Sequence, residues 1–207
     1  MKLLEYGKAD APAVLIQPID GRDLSGMEQE LTALCRMTNA AFRLIAVQVD
    51  CWNNDLSPWQ APAVFGREGF GDGAAETLAA LLPLTGDKTK RYYLGGYSLA
   101  GLFALWAAYQ TNAFQGVAAV SPSVWFPGFS AYRQEQKLQC GAVYLSLGDR
   151  ESKTRHPLMA TVGDRIREIH HSLETDGTAC VLDWNQGNHF TEPEIRTAKG
   201  FAWLLNR

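Results

Sequence analysis

Two kinds of apolar pattern alternate along the chain. Short, nearly continuous apolar runs bounded by Gly, Pro, Asp or Asn are typical of buried strands, and they occupy residues 11–21 (with the loop that closes this run), 42–50, 91–96, 116–122, 141–151 and 179–189. Longer segments place apolar residues at helical spacing and predict helices over 26–39, 74–84, 99–112, 156–177 and 191–207. Because strands and helices alternate without a hairpin signal, we expect an α/β fold: a mostly parallel sheet flanked by helices on both faces.

A few residues indicate how the predicted helices end and what they bury. Pro83 should end the second helix, because proline lacks the N–H that a helix interior needs. Thr191 is the expected N-cap of the last helix, with Pro193 and Glu194 in its first turn. The helix over 99–112 is apolar nearly all round, so we expect it to be buried.

The composition predicts one domain over residues 1–207. Hydrophobic residues make up 46% of the chain and charged residues 20%, which allows a full buried core and disfavours disorder. The sequence has no internal repeat, low-complexity tract or linker. A net charge of −3 gives no reason to expect nucleic acid or an anionic membrane as a partner.

The cysteines and the N-terminal segment indicate the cellular compartment of the protein. The four cysteines Cys35, Cys51, Cys140 and Cys180 lie far apart without a C-x-x-C pair, so we expect buried thiols and neither a disulfide framework nor a metal site. The N-terminal apolar run is too short for a signal peptide, and no apolar stretch reaches membrane-spanning length. These features predict a cytoplasmic protein without membrane insertion.

The heptapeptide GGYSLAG joins a predicted strand to the predicted buried helix. In a nucleophile elbow the chain turns so tightly that the residues two before and two after the serine must be small, and around Ser98 these are Gly96 and Ala100. The usual pattern has glycine where Ala100 adds one methyl group, and Gly101 follows at once. The following helix points its free N–H groups at the serine, so Leu99 N–H is a candidate oxyanion donor.

Two other interpretations of this heptapeptide compete with the nucleophile. One is a glycine-rich turn with an incidental serine, which the position between a strand and a buried helix disfavours. The other is a phosphate cradle before a helix. The heptapeptide has neither the P-loop lysine nor the G-x-G-x-x-G spacing, and its strand comes third in the chain.

A nucleophilic serine needs a histidine base, and His189 is the best placed of four candidates. In folds with a nucleophile elbow the chain order is serine, acid, histidine, with the histidine after the last strand. His189 lies between the last predicted strand and the last predicted helix. His170 and His171 fall within an amphipathic helix and His156 at its start, where solvated, core or capping roles fit better.

Two carboxylates at the carboxyl end of the strand predicted over 141–151 are candidates for the acid that orients His189. In LSLGDRE the usual spacing of glycine, two residues and acid runs from Gly148 to Glu151, which favours Glu151 over Asp149. Both carboxylates could instead be solvated and paired with neighbouring basic residues. Asp183 is an outside candidate that falls inside the predicted strand.

A second oxyanion donor is expected in PIDGRD, the loop after the first predicted strand. Topology alone points to the backbone N–H of Asp20 or Gly21.

These motifs resemble one family of esterases. GGYSLAG followed by SPSVWF, with DLSPW, GDRE and GNHF in matching order over residues 11–205, is similar to the α/β-hydrolase-fold esterases that include esterase D and the enterochelin (siderophore) esterases. The resemblance implies a carboxylic-ester hydrolase that uses Ser98, His189 and Glu151. We expect neither a cofactor nor a metal. Ala100 departs from the family's usual glycine, and the short chain implies no large lid and a shallow pocket built from loops.

Aromatic residues crowd two loops that follow strands, where open α/β sheets bind ligands. We expect Tyr97, Trp59 and Trp125 to line a pocket for an acyl or aryl group. The other loop aromatics either extend this wall or form a satellite core; they are Trp52, Phe65, Phe70, Phe126 and Phe129. A basic cluster could favour an anionic substrate, although a solvated turn fits it better; it comprises Arg150, Lys153 and Arg155.

The sequence thus predicts a serine esterase that acts on a small-molecule ester through an acyl-enzyme. The rival hypotheses are a thioesterase or acyltransferase with the same residues, and a non-catalytic binding protein of the same fold. The acyl and alcohol groups and the oligomeric state stay open.

Overall fold

The computed structural model describes residues 1–64 and 66–207, which contain one sheet of seven strands. The spatial order is β1-β3-β2-β4-β5-β6-β7. In chain order the strands are β1 Lys2–Gly7, β2 Ala13–Ile19, β3 Phe42–Gln48, β4 Arg91–Tyr97, β5 Gly116–Val120, β6 Ala142–Gly148 and β7 Ala179–Asn185. The six strands from β2 to β7 pair in parallel, as the alternation of elements predicted.

The edge strand β1 was not predicted. It pairs antiparallel with β3 over its whole length, from Lys2 opposite Gln48 to Gly7 opposite Arg43. Most of its residues are exposed or half-buried, as for Leu3, which is 45% exposed. An edge strand of this kind lacks the continuous apolar run that marks a buried parallel strand.

Helices cover both faces of the sheet. They are α1 Gly21–Met37, α2 Trp52–Asp55, α3 Ala74–Leu81, α4 Leu99–Gln110, α5 Phe129–Gln134, α6 Pro157–Ala160, α7 Val162–Thr175 and α8 Pro193–Leu205. One core lies under α1 and α8 and includes Leu34 and Phe201. The other lies under α3, α4 and α7 and includes Phe103 and Ile166. Nearly all of α4 is buried, as predicted.

The first helix begins earlier than predicted because of its cap. The Asp20 side chain accepts hydrogen bonds from Arg22 N–H and Asp23 N–H, while Asp23 accepts one from Asp20 N–H. This reciprocal capping box starts α1 at Gly21, ahead of the first apolar repeat at Met27.

Two other predicted helix boundaries were wrong. The segment predicted as one helix over 156–177 forms two helices, α6 and α7, which are separated at Thr161. The Thr161 hydroxyl donates a hydrogen bond to Leu158 O. Thr191 is not the N-cap of α8, because that position belongs to Glu192. Thr191 Oγ1 instead accepts a hydrogen bond from Asn188 N–H, which tightens the turn before the helix. Pro83 does follow the end of a helix, inside a 3₁₀ turn over Leu82–Thr85.

The cysteines differ in exposure. All four are free thiols, with Cys140 buried and Cys180 half-buried, whereas Cys35 and Cys51 are exposed. The expectation of buried thiols was therefore wrong for two of them. Among the described residues, no helix combines the length and the apolar character that crossing a membrane requires.

Candidate active site

Ser98 stands on a strained turn between the central strand β4 and helix α4. Its backbone has φ 59° and ψ −117°, a region that residues with a side chain rarely adopt. Three backbone hydrogen bonds hold the turn: Ser98 N–H donates to Val120 O, and Ser98 O accepts from Leu102 N–H and Ser123 N–H, each over 3.0 Å. Strain that the surroundings maintain in this way often marks a functional residue.

Close packing explains the small residues around this serine. A Cβ atom added at Gly96 would lie 2.5 Å from the Ala100 Cβ, and one at Gly101 would lie 2.9 Å from Gly96 O and 3.0 Å from Val120 O. The turn therefore tolerates the methyl group of Ala100 because Gly96 has none. The departure from the usual pattern at position 100 is accommodated without moving the turn.

The structure brings Ser98, His189 and Glu151 into one hydrogen-bonded chain. His189 Nε2 lies 3.0 Å from Ser98 Oγ, and His189 Nδ1 lies 2.7 Å from Glu151 Oε2. A carboxylate beside Nδ1 favours the tautomer with its proton on that nitrogen, and in that tautomer Nε2 can accept a hydrogen bond from the Ser98 hydroxyl. The Glu151 side chain is only 4% exposed and that of His189 is 30% exposed.

Glu151 is held as a carboxylate although it is buried. Burial raises its pKa, but hydrogen bonds and charge from His189, together with hydrogen bonds from Ser121 Oγ and Gly148 N–H, outweigh burial and leave the pKa below its ordinary value. The last two donors both bind Oε1, at 2.7 Å each.

Asp149, the other candidate acid, has a different role. Its Oδ1 accepts a hydrogen bond from Gly187 N–H over 2.8 Å, and its own N–H donates to Asn185 O. Asp149 thereby joins the loop after β6 to the loop that carries His189. The outside candidate Asp183 lies in β7, where it accepts a hydrogen bond from Tyr144 OH.

No sequence signal singles out Arg196, which the structure buries beside Glu151. Arg196 is 2% exposed, and its Nη1 lies 3.0 Å from Glu151 Oε1. Tyr97 OH accepts from the same nitrogen and donates to His189 O over 2.7 Å. Burial and the nearby Glu151 charge raise the pKa of Tyr97 to about 12, so its hydroxyl stays a proton donor. The helical pattern of α8 does not distinguish an arginine that points to a site from a solvated one.

The SPS motif adds two serines to the site. Ser121 has φ 42° and donates from Oγ to Glu151 Oε1, and Ser123 Oγ lies 3.4 Å from Ser98 Oγ. One serine of the motif thus contacts Glu151, and the other lies next to Ser98.

Of the oxyanion-donor candidates, Leu99 is the first residue of α4, so its N–H has no acceptor within the helix. Asp20 N–H is engaged with the Asp23 carboxylate over 3.0 Å, which counts against the expectation that it serves as the second donor. Gly21 is exposed at the start of α1 and does not line the cavity beside Ser98.

A cavity of about 780 Å³ opens beside Ser98 at the carboxyl edge of the sheet. Its lining includes the Ser98–His189–Glu151 chain with Tyr97, Ser121 and Ser123. Its apolar walls include Trp52, Trp125, Met159, Val162 and Phe190. Phe190 is 85% exposed and packs edge-on against the imidazole of its neighbour His189.

The expected aromatic wall is only partly formed. Tyr97 and Trp125 line the cavity as expected, but Trp59 does not: its indole N–H donates to Pro127 O, and its ring packs on Phe126 and Tyr132. Phe70, Phe126 and Phe129 are buried in the core under α3, α4 and α7, against which Trp59 also packs. Phe65 lies outside the described residues. Trp52, which the sequence offered as an extension of this wall, does line the cavity, and so does Phe190, which the sequence did not single out.

Other charged candidates lie away from the cavity. Arg150, Lys153 and Arg155 are exposed and do not line it, which fits the solvated turn. His170 lies beside Glu174 on α7, and His171 is exposed on the same helix. Within residues 1–64 and 66–207, no group of three or more His, Cys, Asp or Glu side chains is arranged to hold a metal ion.

Solved structures of low sequence identity share this architecture. An IroE-like serine hydrolase from Shewanella oneidensis matches with a TM-score of 0.80 and 13% identity, over 99% of this chain and 75% of that one. The siderophore hydrolase EstA from Aspergillus nidulans matches with a TM-score of 0.70 and 21% identity, over 97% and 85% of the two chains. A Bacillus cereus carboxylesterase matches with a TM-score of 0.64 and 17% identity, over 99% and 94%.

The chain has the α/β-hydrolase fold. Within it, Ser98 follows β4, Glu151 follows β6 and His189 follows β7, which is the serine, acid, histidine order of this fold. No protein-family model and no curated protein sequence matches the chain.

Proposed function

We propose that this protein is a serine hydrolase that cleaves carboxylic esters through an acyl-enzyme. The observation that carries the proposal is the continuous chain from Ser98 Oγ through His189 to Glu151 Oε2, with distances of 3.0 Å and 2.7 Å. All three side chains line one cavity large enough for a small ester. The structural neighbours named as esterases and serine hydrolases agree with this activity.

In the first half of the reaction, Ser98 Oγ attacks the ester carbonyl while His189 Nε2 accepts the hydroxyl proton. Glu151 holds the imidazole and stabilises its protonated form. The oxyanion forms at the start of α4, where Leu99 N–H donates to it and the helix dipole adds a partial positive charge. His189 then returns the proton to the leaving alcohol, and the acyl group stays on Ser98.

In the second half, water attacks the acyl-enzyme and His189 accepts its proton. The carboxylic acid leaves, and Ser98 recovers its proton from the imidazole. General acid–base catalysis of this kind contributes about 10²–10⁴-fold, and one oxyanion donor contributes about 10²–10³-fold.

Ser98→Ala tests the proposal directly. We expect wild-type protein to hydrolyse p-nitrophenyl esters and to take up a fluorophosphonate probe on the peptide that contains Ser98. The Ala variant should lose both properties while it keeps the wild-type circular dichroism spectrum. Ser123→Ala is the matched control, because Ser123 Oγ lies only 3.4 Å away yet should not carry the label. Full turnover in folded Ser98→Ala protein would refute the assignment.

A further inference from the structure

Arg196 is the largest polar side chain that the fold buries completely. It extends from the first turn of α8 and is 2% exposed, with Nη2 3.0 Å from Gln186 O. Its Nη1 reaches Glu151 Oε1 at 3.0 Å, Tyr97 OH at 3.2 Å and Ser121 Oγ at 3.3 Å. A buried guanidinium is costly unless it is paired, and among the described residues its charged partner is Glu151, the carboxylate that contacts His189.

These contacts divide the two oxygens of Glu151 between two tasks. Oε1 accepts from Arg196 Nη1, Ser121 Oγ and Gly148 N–H, so the carboxylate cannot rotate freely. Oε2 is left facing His189 Nδ1 at 2.7 Å.

The same guanidinium also reaches the backbone that carries the histidine. Arg196 donates to Gln186 O, just before the turn that leads to His189. It also donates to Tyr97 OH, which in turn donates to His189 O over 2.7 Å. One side chain therefore connects the acid, the histidine loop and the residue next to Ser98.

We propose that Arg196 is a positioning residue for the hydrolase reaction: it keeps the buried Glu151 ionised, aims Oε2 at His189, and limits how strongly the acid–histidine pair takes up a proton. This proposal rests on the proposed function for its kinetic consequences only. The His189–Glu151 pair carries one negative charge when the imidazole is neutral. A fixed positive charge 3.0 Å from the carboxylate opposes the arrival of a proton on either member of the pair.

Two substitutions separate charge from geometry. Arg196→Gln removes the charge, so the acid limb of kcat/KM against pH should move upward by about one pH unit. At pH values below the limb the activity then falls by about tenfold relative to wild type. Arg196→Lys keeps the charge but not the planar fork, so it should lower kcat with little change in KM and leave the acid limb in place.

The matched control is Arg133→Gln, which removes another buried arginine. Arg133 is 8% exposed on α5 and does not line the cavity. Arg133→Gln should keep the wild-type acid limb of kcat/KM against pH even if the variant is less stable. The other charged groups that line the cavity are unchanged in every variant, so they cannot cause a difference between them; they are Asp20, Arg22, Asp23, Asp50 and Glu68.

A titration without substrate keeps this test separate from the proposed activity. The His189 ring signals in an NMR pH titration, assigned with His189→Gln, should show the same upward shift in Arg196→Gln. Retained turnover in Ser98→Ala would reject the esterase mechanism but leave the NMR test valid. The proposed role of Arg196 would be overturned if folded Arg196→Gln kept both the wild-type acid limb of kcat/KM against pH and the wild-type His189 titration curve. If that variant does not fold, wild-type kcat in Arg196→Lys would overturn it.

Discussion

Asp149 and Gly187 connect the two loops that carry the candidate acid and base, through a 2.8 Å hydrogen bond from Gly187 N–H to Asp149 Oδ1. Glu151, only two residues further on, is the carboxylate that contacts His189. The two acids therefore hold the same loop pair in different ways: one fixes backbone and the other fixes the imidazole.

Substitution of the two acids should separate these tasks. Glu151→Gln should lower kcat for a p-nitrophenyl ester by about 10²–10⁴-fold, because an amide neither fixes the imidazole tautomer nor stabilises its charge. Asp149→Asn should cost less than about tenfold, because its amide oxygen can still accept from Gly187 N–H. Initial-rate measurements on both folded variants test this, and a larger loss in Asp149→Asn would contradict our assignment.

Gly96→Ala should destabilise the fold by about 1–3 kcal/mol, because its new methyl group would lie 2.5 Å from the Ala100 Cβ and 2.9 Å from the Ala100 carbonyl carbon. The measurement is urea unfolding. The double variant Gly96→Ala, Ala100→Gly should recover part of the loss, since it removes one of the two contacts. Wild-type stability in the single variant would mean that the turn is looser than the structure shows.

Glu30 should make stability depend on pH. Burial is the main cause that raises its pKa to about 8, and the charges of Asp23 and Glu194 add to it, whereas the hydrogen bond from Gln17 Nε2 lowers it. The folded protein therefore keeps a proton on Glu30 that the unfolded chain releases near the ordinary glutamate pKa of 4.5. The contribution of Glu30 to the free energy of unfolding is therefore fully present below pH 4.5. It is lost as pH rises towards about 8, by up to about 1.4 kcal/mol per pH unit.

Glu30→Gln mimics the protonated acid and should remove this dependence between about pH 6 and about pH 8. Urea unfolding across that range tests the difference between the variant and wild type. Glu28→Gln is the control, because Glu28 is exposed on the same helix. A parallel decline in wild type and Glu30→Gln would show that another group titrates.

The charge of the cavity should select among substrates. Besides Glu151, the described lining residues include one arginine, Arg22, which pairs with Asp20, and three further carboxylates: Asp23, Asp50 and Glu68. We expect an ester with a cationic acyl group to show a kcat/KM about tenfold above that of its anionic isostere, since the carboxylates attract cations and the aromatic walls favour them.

Added salt should reduce this preference, because it screens exposed charges. The double variant Asp50→Asn, Glu68→Gln should reduce it as well, whereas hydrolysis of a neutral ester should change little. A preference for the anionic ester in wild-type protein would contradict the prediction.

Much of the fold follows from the sequence, because its signals are local. Buried parallel strands appear as continuous apolar runs, and the helices between them place apolar residues at helical spacing. The order of these elements and the mostly parallel sheet were therefore predicted correctly. Chain order also singled out Ser98 and His189, which the structure brings within 3.0 Å of each other, although their catalytic roles stay predictions. The strand β1 was missed because a half-exposed edge strand has a weak pattern.

Only the tertiary structure decided which side chains meet at the site. Asp149 and Glu151 follow the same strand, and the path of one loop turns Glu151 towards His189 and Asp149 towards Gly187. Trp59 and Trp52 occupy the same connection, yet only Trp52 lines the cavity. Arg196 has the sequence context of a helical surface residue but is buried beside Glu151. Sequence patterns report burial and period along one element, whereas these contacts depend on where loops from distant elements end in space.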